Sequence, residues 1–292
     1  MTQALPQLQH VLVPLDGSEL ARAALLPARR LVLNQPRPAL TLLEVIEGGD
    51  MERMERLRTE ALMRLRDVQN AICGSRRTRR ARALGQEEAL RVSLLVEHGD
   101  PAERILTAAG RTGVDALVMT THGRTGLPRA VRGSVAEAVL RKSPVPLLVS
   151  TPSATRLTGP DRPFLRLLVP LDGSELAYEA IPLAATLALG SGAEVVLVRV
   201  EEDGGKSEGC LEVAGERLVG TGVKPNKVWH EVVSGPPAES LLAAVDRHRI
   251  DLVVMSTHGR RGFDRLRLGS VAEEVLRHAP CPVLVRRGAP AA

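Results

Sequence analysis

Apolar residues fall along this chain in short runs separated by segments with helical spacing, and the whole pattern occurs twice. Residues 11–15 and 167–171 are apolar runs of a length that suits buried parallel strands. Ser18 and Ser174 then start helical patterns over 19–33 and 175–189, with Pro27 and Pro182 as expected kinks and Gly190 as an expected stop. Second strands are predicted over 39–46 and 193–200, third strands over 91–96 and 227–233. A turn rich in Gly and Pro leads from each third strand into a helix (102–109, 238–247) with proline near its first turn. Fourth strands cover 114–119 and 250–255, and fifth strands 144–149 and 280–285, whose prolines suit an edge position.

Strand and helix alternate five times in each copy. That predicts an α/β fold: two tandem doubly wound domains, each a five-stranded parallel sheet with helices on both faces. The domains are placed at 1–152 and 164–292, joined by a polar, proline-bearing linker over 153–163. The copies diverge in one place. Val45 to Gly99 spans 54 residues and Val200 to Gly235 spans 35, so copy two lacks 19 residues there. Copy one fills the interval with a long charged helix (51–72) and the run Arg76, Arg77, Arg79, Arg80, Arg82, while copy two has a shorter helix over 210–219.

The stretch between fourth and fifth strands is the most closely repeated of the long segments. From Met119 to Val149 the chain aligns without a gap to Met255–Val285, and 19 of 31 positions are identical. Both copies contain His-Gly-Arg (His122, Gly123, Arg124; His258, Gly259, Arg260) and then Gly-Ser-Val (Gly133, Ser134, Val135; Gly269, Ser270, Val271). Glu137 and Glu273 follow each serine by three, a capping-box spacing that places the Gly-Ser pairs at helix N-termini. A helix start offers free N–H groups and partial positive charge, and glycine admits close approach, so strand, glycine loop and helix start together suit phosphate. The strand ends Pro14-Leu15-Asp16 and Pro170-Leu171-Asp172 meet these loops if first and fourth strands are neighbours. Either aspartate serves equally to close an Asx turn. The histidines are read as orienting the loop; no Gly-x-Ser-x-Gly elbow supports a hydrolytic triad. Arg124, Arg260 and Arg261 are either solvated or set against phosphate.

Composition narrows the rest. A 292-residue chain with 44% hydrophobic and 25% charged residues suits two globular domains. No apolar run approaches a membrane span, and the start lacks a secretory layout, so a cytoplasmic location is the default expectation. Cys73, Cys210 and Cys281 show no metal or redox spacing and read as reduced thiols. The net charge of +5 comes largely from the arginine run, and aromatics are 1% of the chain, so nucleic acid is not an expected partner.

With these residues in hand, both halves resemble universal stress protein domains, over about 8–150 and 164–287. The family's nucleotide pattern is Gly, two residues, Gly, nine residues, Gly, then Ser or Thr. Gly123, Gly133 and Ser134 fit it, as do Gly259, Gly269 and Ser270; Thr120 and Ser256 replace the first glycine. The resemblance implies ATP or a related adenine nucleotide in each half, with Mg²⁺. It implies contacts from Asp16 and Asp172 to ribose or metal, from Val45 and Val200 to adenine, and from Met119 and Met255 to the pocket wall. Phosphates fall to Gly123, Gly133, Ser134 and Val135, and to Gly259, Gly269, Ser270 and Val271. It also implies dimer-like pairing through the last strands, made internally by a tandem chain or in a homodimer. The function expected is a nucleotide-dependent stress-response regulator, at most a slow ATPase or self-phosphorylating protein. The alternative is an interaction module of the same fold that binds no nucleotide. The 19-residue loss predicts weaker binding in copy two.

Overall fold

The computed structural model describes residues 5–74, 90–111, 113–121, 134–151, 154, 162–201, 209–257 and 269–288. The first half runs β1 (His10–Pro14), α1 (Glu19–Arg22), α2 (Leu25–Val32), β2 (Ala39–Ile46), α3 (Met51–Cys73), β3 (Arg91–His98), α4 (Pro101–Arg111), β4 (Ala116–Thr120), α5 (Ser134–Lys142) and β5 (Leu147–Ser150). The second runs β6 (Arg166–Leu171), α6 (Glu175–Tyr178), α7 (Ile181–Ser191), β7 (Glu194–Glu201), α8 (Cys210–Gly220), β8 (Val228–Ser234), α9 (Pro237–Arg247), β9 (Leu252–Thr257), α10 (Ser270–His278) and β10 (Val283–Arg287). The α/β alternation read from the apolar runs is present in both.

The ten strands form one sheet in the order β3-β2-β1-β4-β5-β10-β9-β6-β7-β8. Pairing is parallel within each half. It is antiparallel at the join, where Leu147, Leu148 and Val149 face Val285, Leu284 and Val283. The edge expected of the fifth strands is therefore corrected. β5 and β10 begin just after Pro146 and Pro282, whose carbonyls accept the Leu117 and Val253 N–H groups, so the missing proline N–H costs the ladder nothing and the strands pair on both sides.

One apolar core lies on each face of the sheet, and each draws residues from both halves. Leu148 and Leu284 belong to the face covered by α2, α3, α7 and α8. Val149 and Val283 belong to the face covered by α4, α5, α9 and α10. Burying a leucine of this kind contributes about 2 kcal/mol, so the join is held by side chains as much as by its ladder. The segments ahead of β1 and β6 also cross to the opposite half. Arg30 of α2 lies over the Phe164 ring, 5.7 Å from its centroid. Thr186 of α7 donates to the Pro6 carbonyl at 2.8 Å.

The single kinked helix expected after each first strand is instead a pair. The helix is interrupted at Ala23 and Ala24, and Pro27 falls in the first turn of α2, where a missing N–H forfeits no helical bond. Pro182 takes the same role in α7. Gly190 remains helical, and the stop comes at Gly192, left-handed with φ 70°.

Candidate functional site

Two half-buried carboxylates fix the strand adjacency on which the site depends. Asp115, ahead of β4, accepts the Gln9 and His10 N–H groups, each at 2.8 Å. Asp251, ahead of β9, accepts those of Leu165 and Arg166 at 2.9 and 3.0 Å. They hold β4 against β1 (Leu117 beside Leu12) and β9 against β6 (Val253 beside Leu168). Strand order reverses at both junctions, so the loops leaving the carboxyl ends diverge and leave a crevice between them.

On one side of each crevice is the Asp-Gly-Ser turn. Asp16 Oδ1 accepts the Ser18 N–H at 2.9 Å, and Asp172 Oδ1 accepts both the N–H and the hydroxyl of Ser174, at 2.9 and 2.6 Å. The serine hydroxyls in turn accept the N–H groups of Ala21 and Ala177, starting α1 and α6. The Asx-turn reading of these aspartates is thus realised, and both carboxylates are exposed. Gly17 and Gly173 are left-handed, at φ 82° and 83°, a conformation that the turn demands and other residues resist. Pro14, Leu15, Pro170 and Leu171 carry each strand to its turn.

The apolar residues expected near the turn belong to one core. Met119 and Val45, with Val135 of α5, pack into the same core as their counterparts Met255, Val200 and Val271. Thr120, in the place of a glycine, donates from Oγ1 to the Leu20 carbonyl at 2.6 Å. Its counterpart Ser256 has a buried Oγ with no hydrogen-bond partner among the described residues. His122, Gly123, Arg124, Gly133, His258, Gly259, Arg260 and Arg261 lie outside the described residues.

The capping box is corrected where it can be followed. Gly269, with ψ 144°, is the N-cap of α10, and Ser270 is already helical and makes no cap bond. Glu273 therefore pairs forward with Arg277 at 2.6 Å, as Glu137 does with Arg141. The helix start keeps its first amides free of a side-chain cap, the arrangement an anion uses.

Sequence reasoning passed over two positions. Glu44, at the end of β2, is buried and takes Arg64 of α3 through Nε and Nη2, the latter at 2.5 Å. This contact raises the arginine's pKa above its ordinary value. Arg199 occupies the same place in β7 with the opposite charge. The signal lay in the aligned second strands, where attention to apolar alternation hid a reversal of sign.

Among the described residues, no group of three or more His, Cys, Asp or Glu side chains could hold a metal ion. Asp16 and Asp172 are single carboxylates, a number that suits Mg²⁺ only when phosphate oxygens complete its shell. A groove of about 380 Å³ lies between α2 and α3, lined by residues that include Arg22, Arg29 and Asp67, and none of its lining comes from the crevices. No helix among the described residues is long and apolar enough to cross a membrane.

Comparison with known proteins accords with this geometry. The model of the universal stress protein family matches residues 7–151 and 206–287. A universal stress protein of Methanocaldococcus jannaschii is 33% identical over 138 residues, covering 42% of this chain and 81% of that protein. One of Mycobacterium tuberculosis is 28% identical over 219 residues, covering 70% of this chain and 72% of its own length. The crystal structure of a universal stress protein from Archaeoglobus fulgidus superposes with a TM-score of 0.73 at 24% identity, covering 96% of this chain and 99% of that one. The chain belongs to the universal stress protein family.

Proposed function

We propose that this family member binds an adenine nucleotide, ATP with Mg²⁺ in the first instance, at each of its two crevices, and that the bound state sets its conformation or choice of partner. The observation that carries the reading is the doubled junction of β1 with β4 and β6 with β9. It brings the Asp-Gly turn that follows β1 or β6 beside the strand that feeds the loop ahead of α5 or α10. Val45 and Met119, or Val200 and Met255, give the base an apolar surface. Gly133, Ser134 and Val135, or Gly269, Ser270 and Val271, offer backbone amides to the phosphates, with Gly123, Arg124 and His122, or Gly259, Arg260 and His258, in the intervening loops. Asp16 and Asp172 each use one oxygen in the turn, and the other is directed to ribose or metal. Bound Mg²⁺ would neutralise phosphate charge there. Binding rather than turnover is the activity this reading assigns.

In this reading β5 and β10 stand in for the contact between two separate single-domain chains, and the protein works as its own pseudo-dimer in the cytoplasm. Native mass spectrometry of freshly purified protein tests the reading. Mass increments of one or two adenine nucleotides support it. A bare chain that also gains no thermal protection from millimolar ATP and Mg²⁺ contradicts it.

A second reading, an interaction module without nucleotide, draws on one observation. The Thr120 hydroxyl is spent on the Leu20 carbonyl, and its side chain occupies a place where the family pattern has none. The same experiment separates the two.

A further inference from the structure

Among the described residues the two crevices differ in charge near the end of the strand beside the Asp-Gly turn. Val11 pairs with Leu40 and Leu167 with Val195, so the fourth residue onward, Glu44 in β2, corresponds to Arg199 in β7. In the first half the position is neutralised. The Glu44 side chain is 6% exposed and is gripped by Arg64, whose Cδ lies 3.6 Å from where a Cβ on Gly17 would stand.

In the second half no carboxylate among the described residues answers Arg199. Its Nη1 meets only the Cys210 thiol, at 3.7 Å, and its buried Nε has no hydrogen-bond partner. Nη1 also lies 3.0 Å from the Cβ position of Gly173, so the guanidinium is set directly against the turn that borders the crevice. The helix beside it is short. α3 has 23 residues but its counterpart α8 has 11, and Val232, which pairs with Arg199 across the ladder, is 53% exposed. Among the described residues this guanidinium, with its orphaned buried N–H, has no anion, and a buried donor left unsatisfied is costly.

The end of the second strand has a defined use in the doubly wound sheets that bind dinucleotides. A carboxylate there meets a ribose hydroxyl, and an arginine there accepts a phosphate on that hydroxyl. We propose that Arg199 makes the second crevice selective for a nucleotide that carries an additional phosphate on its ribose, while the first crevice, with Glu44 tied to Arg64, takes the ordinary nucleotide. The inference rests on the nucleotide reading above and refines it. The guanidinium supplies two N–H groups to the extra phosphate in a forked contact that a lysine reproduces in charge but not in geometry.

The test uses the full chain with one crevice closed at a time. Gly133→Val leaves the second crevice, and Gly269→Val leaves the first. Each is titrated calorimetrically with adenosine 5′-monophosphate and with adenosine 2′,5′-bisphosphate. In the Gly133→Val chain the bisphosphate is expected to bind about tenfold or more tighter, the factor a charge-assisted hydrogen bond supplies. Adding Arg199→Gln should reduce that preference to about twofold, and Arg199→Lys should restore part of it. The Gly269→Val chain should show no preference. Matching thermal midpoints for the Gln and Lys variants exclude a folding defect. Monophosphate binding in the Gly133→Val chain with equal bisphosphate affinity, or a preference that survives Arg199→Gln, overturns the inference and leaves the nucleotide reading intact. Absence of binding by every chain, wild type included, overturns both.

Discussion

Thr120 and Leu20 are joined by a 2.6 Å hydrogen bond from a side-chain hydroxyl to a main-chain carbonyl, which ties the end of β4 to α1 across the first crevice. The corresponding hydroxyl of Ser256 is buried and has no partner among the described residues. One small polar residue thus does different work in the two halves. Thr120→Val is expected to cost about 1 kcal/mol through loss of the bond. Ser256→Ala should be neutral or stabilising, because it removes a buried unsatisfied group. Urea unfolding of both variants checks this, and equal losses would show that Ser256 is bonded.

Glu44 and Arg64 give an asymmetric pair. Glu44 is 6% exposed and Arg64 is 40% exposed. After Glu44→Ala the arginine turns to water, and the loss should be about 1–2 kcal/mol. Arg64→Ala strands a carboxylate in the interior and should cost more, about 3 kcal/mol. Denaturant midpoints at constant slope give both values, and the reverse ranking would refute the assignment of the buried partner.

His10 makes the protein sensitive to acid. Its Nε2 lies 2.8 Å from Thr41 Oγ1, and burial pulls its pKa below the ordinary value, with Arg91 acting in the same direction and Asp115 and the Gly113 carbonyl against it. A histidine whose folded pKa is depressed binds its proton more readily when unfolded. Its contribution is therefore present above the unfolded value of about 6.5 and is lost as pH falls through the folded one. His10→Gln should flatten the stability profile below about pH 6.5, as measured by thermal midpoints in a pH series. A profile as steep as that of wild type would contradict this.

The shared sheet predicts shared unfolding. Trp229, the only tryptophan of the chain, sits on β8 in the second half, whereas Leu65 on α3 is 1% exposed in the first. Leu65→Ala should cost about 2–5 kcal/mol. If the cores continue through the β5–β10 join, it will lower the Trp229 fluorescence midpoint by the same amount as the circular dichroism midpoint. Two separated transitions would show that the halves unfold independently.

The fold was legible because the apolar runs and the repeat speak to strand type and order directly. Val11–Leu15 and Leu167–Leu171 are short, wholly apolar and followed by Asp-Gly-Ser, and they lie where those features imply. What escaped was local. Pro27 read as a kink, yet a helix interruption at Ala23 and Ala24 gave it a helix start to occupy, which spacing does not reveal. The Ser270–Glu273 spacing fits a capping box, but a glycine before the serine moves the cap one residue upstream. Pro146 and Pro282 counted against central strands, though only their carbonyls face the ladder. In the crevices, the Asx turns of Asp16 and Asp172 were legible from the Asp-Gly-Ser segments. The Thr120–Leu20 bond and the contrast of Glu44 with Arg199 arise from contacts between elements far apart in sequence.

The central claim is that two crevices, one per half, each hold an adenine nucleotide. Isothermal titration of the nucleotide-free chain with ATP and Mg²⁺ tests it most directly when Gly133→Val and Gly269→Val are run beside the wild type. The account predicts two ATP per wild-type chain and one per variant, with the weaker site remaining in Gly133→Val. No heat of binding in the wild type, or a stoichiometry unchanged by either substitution, would contradict it.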